Sequence, residues 1–390
     1  MDLERYPPTP FGEARRIPGK TGYVAYFPSP IPRTLEIPPS TIGLLADCEG
    51  ALGQLSGIGR LLPNPDLLIR PYLLREALSS TRIEGTQATI ADVFETNAAG
   101  SIPNADVEEV VNYVIAMRDG LDRLESLPLS TRLLCATHGR LMAGVRGREL
   151  APGEMRKSQN WIGAPGSTID NAQFVPPPAT EIGPLLTDWE RFAHEELEMP
   201  LLVQNALLHS QFETIHPFLD GNGRLGRLLL VFFLVARDRL SAPLLYLSAY
   251  LERNRQAYYD ALATIQETGD AIPWIELFLM AVKTQAEDAF NRSERIIELR
   301  EHYRQTAASI GTANAAALVD LICETPIVTT RSIERSLGIS RPTALRLLRR
   351  MEAEGVLSEA RPGARGQRRY IAGEMLDAVA NDEPPRRNQA

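Results

Sequence analysis

HPFLDGNGRLGR, residues 216–227, decides how this chain is read, because a mostly polar and glycine-rich dozen interrupts greasy sequence on both sides. Ile215 closes the helix-like run LLVQNALLHSQFETI, and Leu228 opens LLLVFFLVA. Gly221 and Gly223 flank Asn222 just before a helix expected to begin near Arg224. Unhindered backbone N–H groups and the positive end of a helix then face one point, which is a cradle for phosphate. No GK[ST] follows and no strand precedes, so neither a Walker A loop nor a dinucleotide fingerprint fits. Arg224 and Arg227, three apart on the first helical turn, both reach toward outer phosphates. Asp220 beside a polyphosphate suits Mg²⁺, which prefers one carboxylate, phosphate oxygens and waters. His216, four residues before it, is placed as general base for an attacking hydroxyl. Base, metal and cradle together suffice for in-line transfer at phosphorus.

At 390 residues, with 44% hydrophobic and 23% charged side chains, the composition is that of a globular chain long enough for two or three domains. A formal charge of -8 argues against nucleic-acid binding over the whole surface, although a local basic patch is compatible with it. Cys48, Cys135 and Cys323 are far apart and form neither a CxxC nor a Cys/His cluster, so no disulfide framework or zinc site is expected. The start, MDLERYPPTP, has no signal-peptide pattern, and residues 228–236 are too short to span a bilayer. A reducing, cytoplasmic setting without a membrane is expected.

The first 60 or so residues are rich in proline and glycine and predict an extended arm with a short strand at Tyr23 to Phe27. Helical spacing begins at Pro65, in PDLLIRPYLLREALSSTRIEG, with Gly85 as C-terminal cap. A second helix follows SIPNAD, capped by Asn104 or Asp106, and STRLLCATHGRLMAG gives a third. The turn-rich stretch 153–178 predicts a hairpin, with β-like segments at Asn160 to Gly163 and Gln173 to Val175. Helices then resume and complete an all-α core, with SAYLERNRQAYYDALATIQETGD read as one of them.

The last eighty residues form a separate unit. AAALVDLICE, RSIERSLG and RPTALRLLRRMEAEG predict three helices, with Gly338 in the turn and Ser340 capping the third; two β-like segments around a Gly/Arg loop follow. That is the order of a winged helix-turn-helix. Between Arg341 and Ala372, eight arginines, including Arg361 and Arg365, stand against three glutamates, a local charge of +5. Phosphate contact and a protein-contact role both remain open for this unit.

HPFLDGNGRLGR resembles the signature of the Fic family, HxFx[DE]GNGRxxR, and matches it at every defined position. The resemblance implies a mainly α fold: a Fic helical core with a small β-hairpin flap, an N-terminal helical and extended region, and a C-terminal winged helix-turn-helix. The corresponding boundaries are 1–105, with an inhibitory helix at about 65–85, then 106–305, 306–376 and a flexible tail at 377–390. The implied activity is transfer of AMP from ATP, with Mg²⁺, to a hydroxyl of a target protein. Residues implied at the nucleotide are Phe218, Asp220, Gly221, Asn222, Gly223, Arg224 and Arg227, with Asn254 and Tyr258 on a helix closing over adenine. SSTRIEG matches the family's inhibitory pattern [ST]xxxE[GN], with Ser80 and Glu84 one turn apart. A Glu84 carboxylate paired bidentately with Arg227 would take the place of the γ-phosphate and leave ATP only in an unproductive pose. QNWIGAPGSTIDNAQFVPPP resembles the flap that takes up a target strand, which points to Trp161, Ile162 and Gly163. The partners implied are a protein target, the chain itself as a self-modified target, DNA through the winged helix, and a second copy in a homodimer. The reverse reaction, UTP or GTP as donor, and a DNA-binding regulator with the core as nucleotide sensor stay as alternatives.

Overall fold

A computed structural model of the chain describes residues 1–19, 22–61, 66–90, 92–93, 104–145, 150–164, 166–360 and 368–380. The expectations at Pro65, most of SIPNAD, the Gly/Arg loop with Arg361 and Arg365, and residues 381–390 lie outside them. A two-stranded antiparallel ribbon opens the fold, β1 (Gly12–Ile17) on β2 (Tyr23–Pro28). The second strand meets the expectation, and its partner was not foreseen. Residues 39–61 correct the reading of an extended arm: they form the helix α1 (Pro39–Leu61). Five glycines and two serines among its apolar residues blur the stripe that would announce a helix. Its packing is nevertheless specific, with Cys48 Sγ donating to Leu279 O at 3.0 Å and Thr41 Oγ1 donating to Glu276 at 2.6 Å.

The next helices are α2 (Asp66–Ile83), α3 (Ala105–Leu124) and α4 (Thr131–Leu141). Asn104 and Ser130 cap the latter two, accepting from Val107 N and Leu133 N. At the centre lie α6 (Leu201–Ile215) and α7 (Asn222–Ala236), with α5 (Ile182–His194) against α6. Nearly every residue of α6 and α7 is buried, so these helices have no solvent face and show little amphipathic stripe. Buried donors cross the bundle: Trp189 Nε1 to Leu208 O at 2.9 Å, Trp274 Nε1 to Ala206 O at 2.7 Å, and Asn205 Nδ2 to Leu230 O at 3.0 Å. The loop joining α6 to α7 is HPFLDG, so the motif of the sequence is the turn of the central helical pair.

Three further expectations change. The hairpin at 160–175 is a single antiparallel bridge, Ile162 to Phe174, because prolines 176–178 and the turn at 166–171 leave little chain free to pair. The single helix over 248–268 is two, α8 (Ser248–Arg253) and α9 (Arg255–Thr268), broken where the Asn254 side chain donates to Tyr250 O at 2.9 Å. The helix α10 (Ile272–Ile310) runs through the expected boundary at 305. Beyond it come α11 (Ala313–Glu324), β3 (Ile327–Thr329), α12 (Thr330–Leu337), α13 (Arg341–Ala353), β4 (Ser358–Ala360), β5 (Arg369–Ile371) and α14 (Gly373–Ala380). The strands form an antiparallel sheet in the order β3-β5-β4. Strand β3 and helix α14 were not foreseen, and the last turn of α14, 377–380, occupies residues expected to be tail, with Arg292 Nη1 donating to Ala378 O at 3.0 Å.

Helix α3 meets α7 closely at Gly120, where an added Cβ would lie 2.2 Å from Phe232 Cζ in the core. Alanine gains up to about 1 kcal/mol of helix propensity, while overpacking costs about 1–3 kcal/mol. Gly120→Ala is therefore expected to lower the urea midpoint and Gly120→Val to lower it further; an unchanged or raised midpoint in both would contradict this packing.

Candidate active site

His216 ends α6 in the left-handed region, φ 49°, an uncommon conformation for a residue with a Cβ. Its N–H donates to Phe212 O at 3.0 Å, and its carbonyl accepts from Arg156 Nε at 2.9 Å. Arg156 is buried and also donates to Pro177 O and Ile215 O, so one guanidinium pins the backbone on both sides of the histidine. The His216 ring donates Nδ1–H to Glu213 O at 3.2 Å, which leaves Nε2 without a hydrogen-bond partner among the described residues. Burial, reinforced by the Arg156 charge and opposed by the Glu213 hydrogen bond and by Glu84 and Asp220, moves this imidazole from its usual 6.5 to about 4. Neutral, with Nε2 open, it can accept a proton.

The loop is closed from inside. Asn222 accepts from Phe218 N at 2.9 Å and donates to Phe218 O at 2.8 Å. Its amide, expected at phosphate, therefore shapes the turn. Phe218 is fully buried and stacks on His138 at 3.9 Å, so it anchors the loop as well. His138 Nδ1 accepts from Gly153 N at 2.8 Å, which assigns its proton to Nε2 and a bond of 2.9 Å to Asp220 O. Burial lowers this histidine also to about 4. Gly221 has φ 75° and no room for a side chain, since a Cβ would meet Met142 Sδ at 2.7 Å. Helix α7 then starts without a side-chain cap, and its first N–H groups are available to an anion.

A carboxylate of the chain sits at that helix end. A Cβ on Gly223 would lie 2.5 Å from Glu84 Oε1 and 3.0 Å from Arg227 Nη1. Arg227, 2% exposed, donates Nη2–H to Glu84 Oε1 and to Ser80 O, and Nε–H to Ser80 Oγ, each at 2.8 Å. The pairing is thus shared between Ser80 and Glu84, where a bidentate carboxylate was expected. Burial raises the Glu84 carboxyl, but the Arg227 charge and hydrogen bond, with Arg224 and His216, outweigh it and hold it below the usual range. The Glu84 side chain is 37% exposed, so solvent reaches the carboxylate that holds the buried arginine.

Other residues of the site have different places. Tyr258 is buried behind α6, bonded to His209 Nε2 at 2.8 Å, and Asn254 bonds its own helix end. Trp161 and Ile162 are 42% and 37% exposed beside Gly163, and the base of their segment is tied to the loop by Asn160 Nδ2 donating to Phe218 O at 3.0 Å. Glu213, 13% exposed, has a buried Oε1 without a hydrogen-bond partner among the described residues, with His209 Nε2 4.0 Å away. Burial, with Glu84 nearby and Arg227 opposing, moves its carboxyl up to about 7. Arg156, His138, Glu109 and Glu213 were not found from the sequence; only Glu213, as one turn before His216, had a positional signal. Among the described residues no three His, Cys, Asp or Glu side chains cluster to hold a metal. Asp220, with its side chain 43% exposed and Oδ1 accepting from Gly221 N at 2.6 Å, fits a cation that arrives with phosphate oxygens.

An all-helical bundle whose central turn presents a histidine and an arginine-lined helix end defines the class to which this chain is similar. The Fic/DOC family N-terminal model matches residues 42–122 and the Fic/DOC family model matches 128–234. The chain therefore resembles the Fic/DOC family over residues 42–122 and 128–234, just under half of its length. It is 34% identical over 99 residues to a probable protein adenylyltransferase of Aquifex aeolicus, a quarter of this chain and 28% of that one. It is 28% identical over 203 residues to the protein adenylyltransferase Fic of Drosophila yakuba, 50% of this chain and 37% of that one. The chain thus spans well under half the length of these relatives. A Fic family protein of Desulfovibrio desulfuricans G20 shares the fold at TM-score 0.57 and 22% identity over 87% of this chain and 98% of its own, and Fic-1 of C. elegans at TM-score 0.50 and 18% identity over 66% and 74%.

The buried histidines give a pH signature. Free imidazole binds its proton near 6.5, whereas His138 and His216 bind near 4 in the folded chain and His209 near 3. The unfolded state then holds more protons between pH 6.5 and 4, and stability falls as pH drops through that window. Glu213, which binds its proton near 7 when folded, works in the opposite direction between 7 and 4.5 and offsets part of the loss. In an NMR titration the His216 ring signals should hold their neutral position down to pH 5; a midpoint near 6.5 would refute the assigned environment.

Proposed function

We propose that this chain is a protein adenylyltransferase that uses Mg-ATP and is held inactive by its own helix α2. The observation that carries the reading is the contact of Ser80 and Glu84 with Arg227 at the start of α7. The β and γ phosphates would lie at this helix end against Arg224 and Arg227, with the backbone N–H groups around Gly221 and Gly223 completing the cradle. Mg²⁺ held by Asp220 and phosphate oxygens would neutralise charge on the leaving pyrophosphate. A target hydroxyl attacks the α-phosphorus as the bond from that phosphorus to the bridging oxygen breaks, and pyrophosphate leaves. His216 Nε2 takes the hydroxyl proton, and its Nδ1–H bond to Glu213 O steadies the imidazolium formed. A target segment would lie along the exposed Trp161–Gly163 edge, whose base is fixed to the same loop as the histidine.

Glu84 stands where the γ-phosphate would stand, so binding the triphosphate productively requires it to leave Arg227. The same carboxylate could position a water for the reverse step, removal of AMP from a modified protein. A second reading concerns DNA: Arg341, Arg346, Arg349 and Arg350 lie exposed along α13, with Pro342 and Leu345 between them, a surface suited to phosphates.

Purified wild type, Glu84→Gly, His216→Ala and the double variant incubated with labelled ATP and Mg²⁺ test the first reading. Glu84→Gly should label itself at least about tenfold more than wild type, as expected if one charge-assisted contact of about 1.5 kcal/mol or more holds the site closed. His216→Ala, the double variant and samples with chelator should stay unlabelled. A silent Glu84→Gly would remove inhibition by α2 from the account.

A further inference from the structure

Arg227 is not alone in holding a carboxylate. Arg224, also buried, has Nη1 3.4 Å from Glu109 Oε2 and Nη2 3.6 Å from Asp220 Oδ1. Glu109 is 4% exposed, in the second turn of α3. Its same Oε2 accepts from Thr86 Oγ1 at 3.0 Å, two residues past Glu84. A second bond runs beside it, Gln87 N to Asp106 Oδ2 at 2.9 Å, so the exit of α2 is pinned to α3 at both residues. The buried Nε of Arg224 has no hydrogen-bond partner among the described residues. A guanidinium with one edge set by a carboxylate and a further N–H unanswered is aimed at an acceptor that the described residues do not supply.

We propose that Glu109 is a positioning residue: its buried carboxylate fixes the Arg224 guanidinium for the outer phosphates of the nucleotide and, through Thr86, ties that arginine to the segment carrying Glu84. The inference rests on the nucleotide reading above. Glu84 and Glu109 have opposite roles although each pairs with an arginine at the start of α7. Glu84 is accessible from the cleft and occupies the phosphate's place, so its removal frees Arg227. Glu109 is 4% exposed and held by Thr86, so it stays with Arg224 while the anion binds. Without it, Arg224 keeps its charge and loses its direction, a defect felt by a triphosphate and not by a ligand that ends at the α-phosphate. Thr86 adds a link to the latch, because its hydroxyl bond holds the exit of α2 in the position that sets Glu84 on Arg227.

The test compares Glu84→Gly with Glu84→Gly/Glu109→Gln by calorimetry, using ATP, AMP and inorganic tripolyphosphate as probes. The double variant should bind ATP and tripolyphosphate about tenfold more weakly and AMP equally well. A loss equal for AMP and ATP marks a merely structural glutamate and overturns the proposal. If ATP fails to bind Glu84→Gly while tripolyphosphate binds in a Glu109-dependent way, the nucleotide reading falls and the positioning role stands. Tripolyphosphate binding indifferent to Glu109 overturns the role and leaves the nucleotide reading intact. Thr86→Val in the otherwise wild-type chain probes the same carboxylate without altering its charge: ATP affinity should rise about threefold there and remain unchanged in the Glu84→Gly background. Identical affinities for Thr86→Val and wild type would overturn the link to the latch.

Discussion

The buried guanidinium of Arg227 is the constraint on which the rest depends. A full positive charge placed deep between α2 and α7 requires anionic or strongly polar partners on the spot, because an unpaired buried charge is far more costly than a paired one. The chain supplies three oxygens, two from Ser80 and one from Glu84. The site therefore cannot be an empty cradle; it is occupied either by part of its own helix or, on the proposed reading, by a polyphosphate. The open N-terminus of α7 adds a second reason for an anion at the same place, and both reasons act on the same Glu84 oxygen.

Around that charge the structure spends its buried polar groups on holding one loop. Arg156 grips the carbonyls of Ile215 and His216, His138 bonds the carbonyl of Asp220, and Asn222 closes on both backbone groups of Phe218. None of these side chains has to touch a substrate to matter. They keep His216 in a left-handed conformation that an unsupported loop would relax, and the Arg156 charge helps to keep its ring neutral. Rigidity of this kind is what places a base within a few tenths of an ångström of where it acts. The helix α2 enters the same network from the other side: Glu76 accepts from Ser248 N at 3.0 Å and from the Tyr113 hydroxyl at 2.9 Å, which binds α2 to α8 and α3 before Ser80 reaches Arg227.

Much of this was legible in the sequence, and the parts that were not fail for identifiable reasons. The helices from α2 onward follow apolar spacing with caps such as Asn104 and Ser130, which are local chemistry. Helix α1 was missed because its glycines and serines weaken the stripe, and only its contacts along α10 make it a helix. The break at Asn254 and the reduction of the hairpin to one bridge depend on which partners the backbone finds in space. Tyr258 was expected at adenine, and a sequence does not tell an exposed tyrosine from a buried one; its burial against His209 and Trp274 is a tertiary fact.

By itself the sequence determined the class of chemistry: a base, a carboxylate, two arginines and two glycines at one turn, with a second carboxylate one helical turn beyond Ser80. Those are short-range facts, fixed by spacing along helices. Only the tertiary structure decided how the charges are shared. It gave Arg227 to Ser80 and Glu84 jointly, gave Arg224 to Glu109 and Asp220, and closed the Asn222 amide on both backbone groups of Phe218. Partners more than a hundred residues apart meet only when α2, α3 and α7 pack together, and the cost of leaving any of those buried groups unpaired is what selects the arrangement.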